Sequence, residues 1–353
     1  MTDLVPDTDL AQSRPALAAY LAEASGAAGA EIVALEKLAG GTLQENWHVT
    51  VDFEGGAEAG RRDYVLRTNR PGAIPDATLT RPQEYAVMRA AFAAGVAVPE
   101  PLWSRETDSP IGRAFFVMRY APGTASPHRL VKEPDLGGPH PALAARMGAE
   151  AARMQRVRPD AAGLDFLPLP AEGAVAATVA ELRAYLDTRP EPHPIIEFGL
   201  RWLEVNAPPP GPVVLCHGDY RVGNFMVDAT GLTGILDWEL ASWGDPLQDL
   251  GYFCAKFWRF GAADKAAGGI ADRTDLYRGW AEESGQPMPT AAAMRYWEIL
   301  ANIRWATISI RQAERHLSGR EPNLEMCLTG RVTVEMELEA LRLIAEAEEE
   351  GDG

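Results

Sequence analysis

Apolar and polar positions change rhythm twice along this chain. Residues 1–30 are Ala-rich, and Leu17, Tyr20 and Leu21 fall on one helical face, predicting an N-terminal helical segment. From Glu31 alternation takes over: EIVALEKLAG and TLQENWHVTVDF read as two strands joined across Gly40-Gly41. A glycine cluster at 55–60 then leads into a third strand, RDYVLRT, at 62–68. Residues 81–94 carry helical periodicity, closed by Gly95 with Pro99 just beyond. Strands near 100–105 and 113–120 complete a small, mostly antiparallel sheet with one packed helix. The interruption APG at 121–123 predicts a domain boundary, and beyond it helical spacing dominates at 140–158, 173–188, 289–318 and 323–349. One island breaks that rule: at 213–238 short strands alternate with loops, the kind of place where functional groups sit on a rigid scaffold.

The expected fold class is therefore α+β and bilobal. It comprises a helical segment at 1–30, a small β-rich lobe at 31–120 and a larger, mostly helical lobe at 121–353. Composition narrows the function. Lys and Arg total 33 against 50 Asp and Glu, a net charge of -17, which argues against a nucleic-acid partner because phosphate backbones are held by excess cations. The three cysteines, Cys216, Cys254 and Cys327, are odd in number and without a C-x-x-C pair, so neither a disulfide framework nor a zinc site is expected. The start MTDLVPDTDL lacks the basic and apolar regions of a signal peptide, and no apolar run is long enough to span a bilayer; a cytoplasmic address and no membrane partner are expected.

The chemistry concentrates in His217-Gly-Asp219-Tyr-Arg-Val-Gly-Asn224, followed thirteen residues after the Asn by Asp237. Phosphoryl transfer to a hydroxyl needs a carboxylate that orients the nucleophile and accepts its proton, and oxygen ligands that hold Mg²⁺ on nucleotide phosphates. An Asp with an Asn five residues on supplies the first carboxylate and one metal ligand, and the later Asp supplies a second. The protein-kinase catalytic loop has the same Asp-to-Asn spacing. With GILDWELASWGDPLQDLGY after it, the segment resembles the catalytic and metal-binding region of the aminoglycoside-phosphotransferase and choline-kinase-like superfamily. The likeness extends over roughly residues 30–315.

That resemblance implies a protein-kinase-like fold and a kinase using ATP and Mg²⁺ on a small hydroxylated substrate. It makes Asp219 the catalytic base, Asn224 and Asp237 the magnesium ligands, and His217 the brace of the loop. The hairpin at Gly40-Gly41, with Asn46 downstream, can bring backbone N–H groups to phosphates, although a purely structural turn would look the same. In the family a third-strand cation contacts the phosphates and pairs with a helix Glu. Here these are Arg67 and Glu84, with Arg where most kinases have Lys. Kinase domains fused to acyl-CoA dehydrogenases resemble this chain in that respect; the alternative is two unrelated surface charges. Residues 116–121 match the interlobe hinge. There Arg119 and Ala121 would offer backbone groups to adenine beside Met118, unless the segment is an ordinary buried strand.

Downstream, Asp245 reads as a helix N-cap and Asp249 as a complement to the helix dipole. Arg295, Arg304, Arg311 and Arg315 make the 289–318 helix basic, either a solvated face or a receiver for an anionic acceptor. Acceptor candidates are hydroxyacyl thioesters or other hydroxy metabolites on one side and aminoglycosides on the other. A nucleotide-binding pseudokinase serving as an interaction module and a metal-dependent hydrolase are the rival functions.

Overall fold

The computed structural model describes residues 10–38, 44–70, 78–106, 108–161, 163–171, 173–319 and 322–351. Gly40 and Gly41 lie outside these residues. The chain divides into two compact units: residues 1–122 with 233–241, and residues 123–232 with 242–353.

In the first unit, α1 (Arg14–Ser25) precedes the hairpin strands β1 (Gly29–Lys37) and β2 (Gln44–Glu54), then β3 (Gly60–Asn69), α2 (Arg81–Ala93), β4 (Pro101–Arg105) and β5 (Phe115–Arg119). The five strands form one antiparallel sheet in the order β1-β2-β3-β5-β4. β3 lies at its centre, and Tyr64 to Thr68 are all buried there. Tyr64 and Leu66 join Leu17, Leu21, Val51, Phe53, Phe115 and Val117 in a core closed by α1. The pleat sends alternate residues to opposite faces, so Arg67 points the other way, toward α2. α2 begins at a full capping box, Thr80 accepting from the Gln83 N–H and Gln83 accepting in return. That cap fixes where the first turn, with Arg81 and Glu84, faces the sheet.

The second unit runs through α3 (Pro127–Lys132), α4 (His140–Met154), α5 (Ala174–Leu186), α6 (Pro194–Val205), β6 (Val214–Cys216) and β7 (Phe225–Asp228). β8 (Gly231–Ile235) carries the chain into the first unit, and the second resumes with β9 (Ser242–Gly244), α7 (Gln248–Cys254), α8 (Arg273–Ser284), α9 (Ala291–Leu317), α10 (Leu324–Thr329) and α11 (Thr333–Gly351). The helix expected over 323–349 is broken at Gly330, which packs so tightly on Ala313 of α9 that any side chain would displace it. α6, α7 and α8 fall outside the stretches that periodicity singled out. Gly123 is required where it stands: its φ is 112°, and a Cβ would overlap the Val227 carbonyl. This contact lets Thr124 and Val227 exchange backbone hydrogen bonds of 2.9 and 3.0 Å, tying the end of the APG segment to β7.

α4 and α8 cross at a reciprocal pair of glycines. A Cβ on Gly148 would overlap the Leu276 carbonyl, and one on Gly279 would overlap the Ala145 carbonyl. Alanine is the better helix former by about 1 kcal/mol, but overpacking costs up to about 3 kcal/mol, so the clash wins. Gly279→Ala is expected to destabilise the protein by roughly 2 kcal/mol, read as a lower urea midpoint at unchanged slope.

Candidate active site

The second unit presents the His217–Asn224 loop at the end of β6. Asp249, in the first turn of α7 and almost completely buried, accepts the His217 N–H at 2.7 Å and the Gly218 N–H at 3.1 Å. Its role is thus larger than the dipole complement expected from sequence: it holds the loop backbone. Burial raises its pKa, opposed by the electrostatics of the His217 ring and by the two N–H donors. Gly218 supplies a positive φ of 79°, and its carbonyl accepts from Arg304 Nη1 at 2.7 Å. The buried His217 ring accepts the Asp219 N–H on Nδ1 at 3.2 Å and sits edge-on to Tyr220. Asp245 is not the N-cap of α7, as its place in the sequence suggested: Leu247 holds that position, and its N–H donates to the Asp245 carboxylate at 2.9 Å.

Asp219 is buried, and each of its oxygens is engaged. Arg221 Nε lies 3.0 Å from both, and Asn224 Nδ2 donates to Oδ2 at 2.7 Å and to the Asp219 carbonyl at 2.9 Å. Burial works against ionisation here, but the Arg221 charge, the neighbouring His217 ring and the Asn224 hydrogen bond outweigh it, holding the carboxyl below its ordinary range. Because both Asn224 bonds use its amide nitrogen, its Oδ1 faces elsewhere as an acceptor.

In the first unit a second cluster forms around Arg67. Its Nε lies 3.0 Å from Glu84, its Nη2 donates to Asp237 Oδ1 at 2.6 Å, and its Nη1 reaches Asn46 Oδ1 at 3.4 Å. The two charges are therefore not unrelated surface groups. Arg81, from the first turn of α2, bonds Glu84 and lies 3.3 Å from Glu239. Two guanidinium groups thus face three carboxylates. Burial disfavours the Arg67 charge, but Glu84, Asp237 and Glu239 more than compensate. Burial and the Asp237 charge push Glu239 up to about 7. Asp237 adopts left-handed backbone angles (φ 69°, ψ 60°), uncommon outside glycine and best tolerated by Asn and Asp. The buried Trp238 beside it anchors the turn by donating Nε1 to the Ile235 carbonyl at 3.0 Å. Arg81 went unnoticed in the sequence, although its i,i+3 spacing to Glu84 behind an N-cap was a usable signal.

The segment matched to the hinge is the end of β5 in the first unit. Met118 and Ala121 are buried. The Arg119 guanidinium is bound by Glu58 and Glu100 and stacks on Tyr64. The Arg119 N–H donates to the Glu100 carbonyl at 2.9 Å and the Tyr120 N–H to the Asp63 carbonyl at 3.2 Å.

The arginines of α9 do not form one basic face. Arg295 pairs with Glu350 at 2.6 Å, Arg311 lies over the Tyr185 ring at 4.5 Å, and Arg304 turns to Gly218 while stacking on Tyr252. Helical spacing fixes a direction for each side chain, and the neighbouring helices supply different partners. Among the described residues, no helix is long and apolar enough to cross a membrane.

His217, Asp219 and Asn224 thus meet in one unit, and Arg67, Glu84 and Asp237 in the other. Mouse acyl-CoA dehydrogenase family member 10 is 26% identical over 290 residues, covering 78% of this chain and 26% of its own length. Chicken acyl-CoA dehydrogenase family member 11 is 30% identical over 202 residues, covering 55% of this chain and 25% of its own. The chain spans about a quarter of the length of these relatives. Among solved structures, a Ralstonia eutropha protein described as a candidate aminoglycoside phosphotransferase superposes with a TM-score of 0.72 at 22% identity, covering 94% of this chain and 98% of its own. Aminoglycoside phosphotransferase APH(4)-Ia, in ternary complex with AMP-PNP and hygromycin B, gives 0.57 at 18% identity, covering 93% and 98%. At such identities these structures establish the protein-kinase-like fold. The model of the phosphotransferase enzyme family matches residues 34–285, most of the chain, and the chain belongs to that family.

Proposed function

We propose that this phosphotransferase moves the γ-phosphoryl group of ATP to a hydroxyl of a small molecule. The observation that carries this reading is the Asp219–Asn224 pair, in which one amide nitrogen fixes the carboxylate and leaves the amide oxygen as a ligand. Asp219 orients the acceptor hydroxyl and takes its proton. Magnesium suits the residues present, since Asn224 Oδ1 and the Asp237 carboxylate are hard oxygen donors; these two would hold it. When bound with nucleotide, it would neutralise charge on the phosphates. His217 keeps the loop in shape through the Asp219 N–H. In the first unit Arg67, oriented by Glu84, steadies the phosphates. Since the Arg119 and Tyr120 N–H groups are spent within the sheet, Ala121 is the residue that would meet the adenine edge, with Met118 beside it.

For the acceptor we favour a hydroxy compound bearing a carboxylate or phosphate, hydroxyacyl thioesters included, over a polycationic amino sugar. The support is local: Arg221 and Arg304 both reach the Asp219 loop, and their guanidinium groups would repel a polycation. The relatives named for acyl-CoA dehydrogenases point the same way. An ADP-coupled screen over amino sugars, amino alcohols and hydroxyacyl-CoAs tests this. Turnover restricted to amino sugars discards the acceptor, and nucleotide binding without turnover on any of them discards the kinase.

Arg67→Ala is expected to raise the KM for ATP or lower kcat by about tenfold or more, since a charge-assisted phosphate contact is lost. Arg67→Lys should recover only part, because an ammonium cannot reach Glu84, Asn46 and Asp237 as a planar fork does. Steady-state kinetics against ATP read both.

A further inference from the structure

Arg221, two residues beyond Asp219, is fixed on several sides. Its Nε spans both Asp219 oxygens at 3.0 Å each, and its Nη1 donates to the Val222 carbonyl at 3.3 Å. Its guanidinium carbon lies 4.5 Å from the centroid of Trp258. Gly223 completes the seat: with φ at 103°, it would place a Cβ only 2.7 Å from Arg221 Nη1, so the missing side chain is what makes room for the guanidinium. Trp258 is itself immobilised, 3% exposed and packed against Trp305 at 4.7 Å, Phe257 at 4.8 Å and Tyr252 at 5.6 Å. A rigid aromatic cluster therefore ends on a guanidinium plane, and that plane ends on the Asp219 carboxylate.

We propose that Arg221 is a positioning residue for Asp219, and that Trp258 serves the reaction by holding Arg221 in place. The proposal rests on the reading of Asp219 as the group that orients the acceptor hydroxyl. A carboxylate turns easily about its last torsion, which has broad wells. Asn224 Nδ2 pins one oxygen; the Arg221 Nε, placed equally from both, pins the plane. Misalignment of a reacting group costs rate without costing nucleotide affinity, so the effect belongs in kcat. A lysine ammonium can supply charge to Asp219 but cannot stack its plane on an indole.

The test uses ADP release from Mg·ATP with water as the acceptor, alongside any acceptor found in the screen, with fluorescent-ATP titration and thermal unfolding as controls. Arg221→Gln should lower kcat at least tenfold with the KM for ATP changed less than twofold, and Arg221→Lys should recover only a minority of that loss. Trp258→Leu should lower kcat three- to tenfold, and adding it to Arg221→Gln should lower it no further; Trp258→Phe serves if the leucine variant does not fold. Unchanged kcat in Arg221→Gln, a loss confined to KM, or Trp258 and Arg221 effects that multiply in full would each overturn the proposal. Wild-type turnover in Asp219→Asn would remove the assignment of Asp219 on which the proposal rests, whereas absence of turnover in the wild type would remove the kinase reading itself. A dead Asp219→Asn beside a fully active Arg221→Gln would remove only this inference.

Discussion

Asp219→Ala is expected to lower phosphoryl transfer by about 10³-fold, the middle of the range for removing a positioned base. Its nucleotide affinity should stay close to wild type. The carboxylate is engaged by Arg221 and Asn224, and its proposed role concerns the acceptor hydroxyl rather than the phosphates. Asp237→Ala should be as inactive but differ in binding. Its carboxylate is both a proposed magnesium ligand and a partner of Arg67 at 2.6 Å, so Mg-dependent nucleotide affinity should fall. Measuring turnover and fluorescent-ATP affinity with and without magnesium separates the two variants. Normal turnover in Asp219→Ala would remove the loop assignment, and unaltered Mg-dependent binding in Asp237→Ala would remove the metal assignment.

Asp249→Ala should be the most damaging change to stability near the loop. Two backbone N–H groups, those of His217 and Gly218, would lose their acceptor in a buried place. An unsatisfied buried donor costs about 1–3 kcal/mol, so a loss of roughly 3–5 kcal/mol is expected for the pair. Asp249→Asn keeps one oxygen acceptor and should fall between wild type and alanine. Chemical denaturation reads the order wild type, Asn, Ala. Equal midpoints for all three would show that the loop does not depend on this carboxylate.

How far the chain could be read depended on the distance over which each feature is encoded. The central loop was legible because His217, Asp219 and Asn224 lie within eight residues, in an order few structural turns would produce. The sheet was legible because alternation and glycine turns are local signals. Asp249 was underestimated because its partners lie 32 and 31 residues away, and a helix-start aspartate has a common local explanation. The arginines of α9 were grouped by helical spacing, which fixes where a side chain points but says nothing about Glu350 or the Gly218 carbonyl waiting there. Arg221 was hidden for a different reason. Inside a conspicuous motif it looked like filler, and its meaning came only with Trp258 stacked against it.

Residues 233–241 belong to the first unit, although more than a hundred residues of the second are threaded before them. During synthesis the sheet and α2 can therefore leave the ribosome long before Asp237 and Glu239 exist. Until they arrive, Arg67 and Arg81 have Glu84 as the one carboxylate of their cluster. A buried surplus of positive charge is costly, so the nascent first unit should remain loose around α2 and tighten only when the returning strand delivers its two acids. A gene fragment ending at Pro122 would carry the same deficit permanently. Dissecting this protein into working parts requires residues 233–241 to be supplied to the N-terminal piece, by a linker or in trans.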